Sequence, residues 1–251
     1  MKKTPPKKKP VAKKAVKKPA KKASAKKPAK RKAQPKPAVP QLPAFAKHVH
    51  PYGTLRHDDL DWQRTRFEQQ LKSFEEARAN VIRAALAFAS ARHEGQRRFD
   101  GTAYVIHPVR IANILLTEWA VANPDMIAAA LLHDVVEDTQ TTLKEIKDSF
   151  GNDIGKLVDG MTMWKGSETY ETYIKRVSRG PEPLRVIKCA DVLDNLRSWH
   201  ESDVGEFPRW WRNASELVLP MARSVDDEGL AAFAIHKVLN DPWYLKRAGM
   251  E

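Results

Sequence analysis

The first forty residues of the chain contain sixteen lysines, one arginine and eight prolines, and no acidic residue. Proline interrupts helices, like charges repel one another, and the segment has almost no apolar side chain to bury, so it cannot form a packed core. We therefore expect residues 1–40 to be a disordered basic tail and residues 41–57 to be a linker. The folded domain is predicted to occupy residues 58–251.

Net charge divides the chain in the same way. Of 44 basic residues, 17 lie in the tail, so the body has 27 basic residues against all 31 acidic ones and a net charge of −4. A mildly acidic body is not a basic nucleic-acid-binding fold. The tail, at +17, is predicted to bind RNA, DNA or the ribosome through phosphates without reading sequence. The alternative is a solubilising extension with no specific partner.

The body gives no sign of export or of membrane insertion. Cys189 is the single cysteine, so no disulfide can form within the chain. The longest apolar run, residues 126–132, is far shorter than the roughly 20 residues of a membrane helix. These features predict a cytoplasmic protein with no membrane partner.

Hydrophobic periodicity beyond residue 58 is helical throughout. Apolar residues recur at intervals of three and four between Phe67 and Phe88, which predicts a long amphipathic first helix. Thr142 and Glu145 have the spacing of a capping box, which predicts a short helix that ends before Gly151. We expect an all-α domain, a bundle of about seven to nine helices. The other predicted helices cover residues 108–119, 124–137, 152–161, 181–199, 206–224 and 228–239.

A cluster of ionisable residues follows the most apolar segment of the body. His133 and Asp134 come directly after residues 127–132. Glu137 and Asp138 follow one helical turn later, and residues four apart share a face of a helix. Three carboxylates this close raise one another's pKa values unless a cation lies among them, and a divalent metal would serve. The alternative is a helix that turns from the core towards solvent.

Two further polar positions are expected to join this cluster. His107 precedes a proline at the start of a predicted helix, after a glycine-containing loop. Asp191 begins a polar stripe that continues at Asn195 and Ser198 on an otherwise apolar helix. A polar stripe on so apolar a helix indicates a cavity rather than bulk solvent.

Two histidines and two aspartates would form a mixed nitrogen and oxygen ligand set. Hard carboxylates without thiolates favour one Mn²⁺ ion, with Fe²⁺ or Zn²⁺ as alternatives. Such a site predicts metal-assisted hydrolysis at phosphorus, in which Glu137 and Asp138 take and return the proton of the attacking water. Asp194 and Arg197 are expected at the surface and are assigned no chemistry. The cations that could meet an anionic substrate are Arg97, Arg98, Lys165 and Lys188.

Four motifs lie at residues 93–115, 129–139, 150–162 and 188–198. Together they resemble the hydrolase domain of the RelA/SpoT homologues. The resemblance implies an all-α HD domain that uses Mn²⁺ to remove the 3′-pyrophosphate of guanosine tetra- or pentaphosphate. Because fewer than fifty residues follow Asp203, we expect a stand-alone hydrolase of the small alarmone hydrolase type, without a synthetase domain. Some of those enzymes also act on NADPH.

The resemblance also implies a role for individual residues. Glu137 and Asp138 match the acids that handle the nucleophilic water, and Arg98 matches the arginine that meets the guanine base. The family usually has a basic residue directly after that arginine, whereas this chain has Phe99. Asn195 and Ser198 match positions that line the nucleotide site. The implied metal ligands are His107, His133, Asp134 and Asp191.

The sequence leaves three functions open. The first is an Mn²⁺-dependent pyrophosphohydrolase of guanosine tetra- or pentaphosphate, which would end the stringent-response signal. The second keeps the metal but acts on another nucleotide such as NADPH, which Phe99 would admit. The third is a nucleic-acid- or ribosome-binding protein that acts through its tail, with the HD body as a nucleotide sensor.

Overall fold

The structure is a computed structural model that describes residues 57–198, 206–225 and 229–249. Within these ranges the chain is helical, with one isolated bridge between Arg97 and Ala103. The predicted all-α class is confirmed. No helix in the described ranges is long and apolar enough to cross a membrane. The predicted tail at 1–40 and nearly all of the predicted linker lie outside the described residues.

Thirteen α-helices and two π-helical turns are present in the described ranges. The α-helices are α1 Leu60–Leu71, α2 Glu76–Arg92, α3 Ile106–Asn113, α4 Pro124–Leu132, α5 Val135–Asp138, α6 Leu143–Phe150, α7 Asn152–Met161, α8 Tyr170–Ser178, α9 Glu182–Ser198, α10 Phe207–Asn213, α11 Leu219–Ala222, α12 Leu230–Leu239 and α13 Pro242–Ala248. The π-helical turns Ile114–Glu118 and Ala214–Val218 extend α3 and α10.

The helices are shorter and more numerous than the seven to nine expected. The apolar stripe between Phe67 and Phe88 belongs to two helices, α1 and α2, because the chain turns at residues 72–75. The helix predicted over residues 124–137 is likewise interrupted, with α4 ending at Leu132 and α5 beginning at Val135. His133 and Asp134 therefore lie at a break between two helices rather than within one.

The start of α6 agrees with the capping signal in the sequence. The Thr142 hydroxyl accepts a hydrogen bond from the N–H of Glu145, and the Glu145 carboxylate accepts one from the N–H of Thr142. The predicted capping box of α6 is therefore confirmed. The next residue after α6 is Gly151, whose φ of +88° is readily adopted only by glycine.

Helix α4 lies at the centre of the domain and positions the polar cluster. Every residue from Met126 to Leu132 is buried, and α4 packs against α2, α3, α7 and α9. Because α4 is enclosed by other helices, the residues that directly follow it also lie inside the domain. Helices α3 and α9 also pack against each other. The start of α3, the end of α4 and the middle of α9 consequently meet.

Candidate metal centre and active site

The structure brings the four predicted metal ligands into one cluster. His107 lies in the first turn of α3, and Asp191 lies in the middle of α9. The ligand atoms of His107, His133 and Asp134 all lie within 4.8 Å of one another. Asp191 Oδ1 lies 3.2 Å from Nε2 of His107 and 3.9 Å from Nε2 of His133. Two imidazole nitrogens and two carboxylates therefore face one point.

In both histidines a hydrogen bond at Nδ1, the ring nitrogen that faces away from the cluster, orients the ring. Nδ1 of His107 lies 2.7 Å from Asp194 Oδ2, and Nδ1 of His133 lies 2.8 Å from the carbonyl oxygen of Ala130. Both partners accept, so each Nδ1 is assigned the proton and each Nε2 presents a lone pair to the cluster. Histidines that bind metals are oriented by this kind of outer partner.

The electrostatics of the cluster favour a cation at its centre. Burial opposes a charge on His133, but Asp134 and Asp191 outweigh burial and raise the pKa of His133 to about 9. Burial likewise favours a neutral Asp134, yet the two histidines hold its pKa well below the usual range. A divalent ion among these donors satisfies the same demand for positive charge, so the residues fit a metal site.

Asp191 is held by two partners besides the histidines. Lys188 Nζ donates to its Oδ2 at 2.7 Å, and Asn195 Nδ2 donates to its Oδ1 at 2.7 Å. Lys188 is 7% exposed, and its ammonium group lies over the rings of Tyr170 and Tyr173. Lys188 lines the same cavity as the candidate ligands, and its ammonium group is paired with Asp191.

Asp194 is a candidate functional residue that the sequence pattern did not indicate. The expected surface position is wrong, since Asp194 is fully buried. Its carboxylate faces His107 Nδ1 and accepts from Arg110 Nε at 2.8 Å. Although burial favours the neutral form, Arg110 and His107 hold the pKa of Asp194 well below its usual range. A signal was present, because Arg110 lies three residues after His107, and Asp194 three after Asp191, which places each pair on one helix face.

The metal cluster lines a cavity of about 500 Å³. A cavity of this size accommodates a small-molecule ligand. Arg97, Arg98 and Phe99 line it from the loop that precedes α3, and the ring of Phe99 is 82% exposed. Aromatic side chains of α8 and α10, including Tyr170 and Trp210, line it as well. One cavity thus combines an acidic candidate metal site with cationic and aromatic side chains.

Glu137 and Asp138 lie in α5 and line the same cavity. Glu137 Oε2 accepts from the N–H of Met163 at 2.9 Å. Burial raises the pKa of Glu137, and the neighbouring carboxylates Asp134 and Asp138 add to the increase. Asp138 Oδ1 accepts from Lys165 Nζ at 2.9 Å. A carboxylate with a raised pKa beside a metal site is suited to accept and return a proton.

Comparison with known proteins places the chain in a family. The sequence model of the HD domain matches residues 85–223, which include every candidate ligand and both candidate acids. The chain belongs to the HD-domain family. HD domains are metal-dependent, which agrees with the His107, His133 and Asp134 cluster.

Relatives of this HD domain are named for one activity. Guanosine-3′,5′-bis(diphosphate) 3′-pyrophosphohydrolase MESH1 of Danio rerio is 35% identical over 151 residues, 55% of this chain and 82% of the relative. Guanosine-3′,5′-bis(diphosphate) 3′-pyrophosphohydrolase of Aquifex aeolicus is 40% identical over 184 residues, 71% of this chain and 25% of that protein.

A solved structure supports the same relationship. It is described as a metazoan ortholog of SpoT that hydrolyzes ppGpp and plays a role in starvation responses. It matches the HD domain with a TM-score of 0.57 and 25% identity, over 71% of this chain and 99% of that one. The predicted resemblance to the RelA/SpoT homologues is confirmed.

The three predicted nucleotide-binding residues of the HD domain differ in what they offer a ligand. All three line the cavity. Arg98 Nη2 donates to Asn195 Oδ1 at 3.2 Å. The Ser198 hydroxyl already donates to the Asp194 carbonyl at 2.8 Å and accepts from Arg110 Nη2 at 2.7 Å. Ser198 therefore braces the Arg110–Asp194 pair, and Arg98 with Asn195 forms the more open part of the predicted nucleotide site.

Replacing Asp194 with asparagine is expected to weaken Mn²⁺ binding and turnover by about 10–100-fold, the usual cost of losing an outer partner of a ligating histidine. The variant also leaves the charge of Arg110 poorly compensated, which destabilises the fold by about 3–5 kcal/mol if the charge stays buried. Mn²⁺ titration and urea denaturation measure the two effects. Adding Arg110→Met should recover stability without recovering metal affinity. Wild-type Mn²⁺ affinity in Asp194→Asn would contradict the role.

Proposed function

We propose that this HD domain is a metal-dependent hydrolase that removes the 3′-pyrophosphate of guanosine tetra- or pentaphosphate. The products are GDP or GTP and pyrophosphate, and the reaction ends the stringent-response signal. The observation that carries the proposal is the meeting of two imidazoles and two carboxylates in a cavity that Arg97 and Arg98 also line. The names of relatives that are 35% and 40% identical support the substrate.

Mn²⁺ is the ion we propose for the site. The donors are imidazole nitrogens and carboxylate oxygens with no thiolate, which suits Mn²⁺ better than a thiophilic metal. When bound, the ion lowers the pKa of the attacking water and stabilises charge that develops at phosphorus. The residues that would hold it are His107, His133, Asp134 and Asp191.

Glu137 and Asp138 are proposed to manage the protons. Glu137 is held in place by the N–H of Met163 and accepts a proton from the attacking water. The water oxygen forms a bond to the phosphorus that is attached to the ribose 3′ oxygen. The bond between that phosphorus and the 3′ oxygen breaks, and the 3′ oxygen takes up a proton to become the 3′ hydroxyl. Asp138 lies next to Glu137 and is paired with Lys165, so the two acids together can take a proton and return it.

Arg98 and Phe99 are proposed to receive the nucleoside. Arg98 is oriented by Asn195, which leaves its guanidinium group in the cavity to meet the guanine base. The exposed ring of Phe99 can stack on a purine but offers no charge to a phosphate. This part of the cavity is therefore the one that would distinguish one nucleotide from another.

Release of pyrophosphate from guanosine tetraphosphate, measured with and without Mn²⁺, tests the proposal. We expect release only when Mn²⁺ is present. NADPH is assayed beside it, because Phe99 is the position at which another nucleotide would be admitted. Phosphate release from NADPH with no pyrophosphate from the guanosine nucleotide would contradict the proposed substrate. Binding of the nucleotide without turnover would favour a sensor.

We also propose that the basic tail binds RNA, DNA or the ribosome, because residues 1–40 contain 17 basic residues and no acid. Deleting residues 1–40 is expected to abolish salt-sensitive binding to RNA and to leave metal content and turnover unchanged. Binding is measured at two salt concentrations for the full and shortened chains. Equal binding by both at low salt would contradict the proposal.

We also propose a cytoplasmic location for the protein, which is consistent with its single cysteine.

A further inference from the structure

The hydroxyl group of Tyr104 lies between a candidate metal ligand and a candidate proton-transfer acid. It donates a hydrogen bond to Asp134 Oδ2 at 2.5 Å. The same hydroxyl is also within donating distance of Asp138 Oδ2, at 3.1 Å, so its one proton is shared between the two carboxylates in a bifurcated hydrogen bond. One phenol thus joins the break after α4 to the end of α5, and neither the sequence motifs nor the mechanism above assigns it a role.

The position of this hydroxyl is fixed by contacts along the rest of the residue. The ring of Tyr104 stacks on the ring of His93 at 4.5 Å with an interplanar angle of 26°. The N–H of Tyr104 donates to the carbonyl of Gln96 at 3.1 Å, and its carbonyl accepts from the N–H of His107 at 3.1 Å. Ring and backbone are therefore held on both sides, so the hydroxyl is placed before any ligand binds.

His93 and Gln96 connect this arrangement to the acid that it contacts. His93 is 3% exposed, and its Nδ1 lies 2.8 Å from Gln96 Oε1. Gln96 Nε2 in turn donates to the carbonyl of Asp138 at 2.9 Å. The side chain of Asp138 and its backbone are consequently both tied to the loop that contains Tyr104.

The hydroxyl group restricts both carboxylates. A short hydrogen bond to an ionised carboxylate is among the stronger polar contacts in a protein. It turns Asp134 so that Oδ1 lies 3.0 Å from His133 Nε2, next to the point on which the ligands converge. Without it, the Asp138 carboxylate would keep its ion pair with Lys165, a side chain that is 66% exposed and therefore a weak restraint.

We propose that Tyr104 is a positioning residue that orients Asp134 towards the metal and holds Asp138 beside it. The effect on rate rests on the proposed function, whereas the effect on metal affinity does not. A ligating carboxylate is commonly fixed by such a partner, and removal of the partner lowers metal affinity or activity by about 10–100-fold.

Tyr104→Phe tests this assignment because phenylalanine keeps the stack on His93 and removes only the hydroxyl. Thr102→Val is the matched control, since it removes a hydroxyl of the same loop that donates to Asp100 at 2.7 Å and not to the cluster. For Tyr104→Phe we expect kcat at saturating Mn²⁺ to fall about 10–100-fold, the Kd for Mn²⁺ to rise about tenfold, and KM to change less than about threefold. Thr102→Val should keep all three constants within about twofold of wild type.

Each result decides part of the assignment. Wild-type kcat and Mn²⁺ affinity in Tyr104→Phe would overturn it. If excess Mn²⁺ restored the rate in full, the proposed role of Tyr104 in holding Asp138 would be wrong. Only its role in orienting Asp134 would then remain. If wild type releases no pyrophosphate from guanosine tetraphosphate, the proposed function fails. The Mn²⁺ Kd of the two variants, measured by titration, then still decides whether Tyr104 orients Asp134.

Discussion

Replacing His133 with alanine is expected to remove Mn²⁺ and nearly all turnover. The imidazole is one of the four groups proposed to hold the ion, and the carbonyl of Ala130 keeps its Nε2 towards the cluster. Losing a ligand should cost more than the roughly 100-fold that is the upper range for an outer partner. Metal content after dialysis and pyrophosphate release from guanosine tetraphosphate measure the two losses.

Asp191→Ala should also lose the metal, but it is the less clean test. Lys188 is buried and paired with Asp191, so alanine leaves its ammonium group without that partner, at a cost of about 3–5 kcal/mol to the fold. Asp191→Asn keeps the size of the side chain, so it partly separates the loss of the metal from the loss of fold stability. In His133→Ala, Asp134 keeps its hydrogen bond from Tyr104 and Asp191 keeps its ion pair with Lys188, so circular dichroism should remain that of wild type. Wild-type metal content in that variant would rule out His133 as a ligand.

Each of the four candidate ligands has a hydrogen-bond partner that is not itself a candidate ligand. The partners are chemically different, and they come from three separate parts of the fold, so no single local movement releases all of them. A site held in this way is largely formed before the ion arrives, which lowers the cost of binding it. The pairs are His107 with Asp194, His133 with the carbonyl of Ala130, Asp134 with Tyr104, and Asp191 with Lys188.

The helical class could be predicted from the sequence because apolar spacing reports which face of a segment is buried. The helix breaks could not, and the segment from Phe67 to Phe88 shows why. Phe74 lies in the turn between α1 and α2 yet still packs against the core, so the apolar pattern continues through the break. The apolar pattern reports which residues are buried. At this turn the burial continues although the helix does not.

The candidate ligands could be found for a related reason, since polar residues that interrupt strongly apolar helices require a partner. Asp194 was not found because its partner is Arg110, 84 positions earlier in the chain. A buried ion pair of this kind leaves two charged residues that look solvated when each is considered alone. Tyr104 was missed in the same way, because its contacts with Asp134 and Asp138 span 30 and 34 positions.

Replacing Glu137 with glutamine is expected to leave the metal bound while turnover falls by roughly 10²–10⁴-fold, the usual size of a general-base effect. Glutamine can present its oxygen to the N–H of Met163 as the carboxylate does, so the side chain should keep its position. It cannot accept the proton of the attacking water. Pyrophosphate release and Mn²⁺ content are measured on the same samples, with Glu171→Gln as the control, an exposed glutamate paired with Lys175 on α8.

The dependence of rate on pH provides a second test of Glu137. Burial raises its pKa above the ordinary 4.5, and a base works only when deprotonated, so wild-type turnover should decline as pH falls through that raised pKa. In Glu137→Gln this decline should disappear from the residual rate, because glutamine does not titrate. Full activity in the variant would show that the water gives its proton to another group. Loss of the metal instead would show that Glu137 supports the ion rather than the proton transfer.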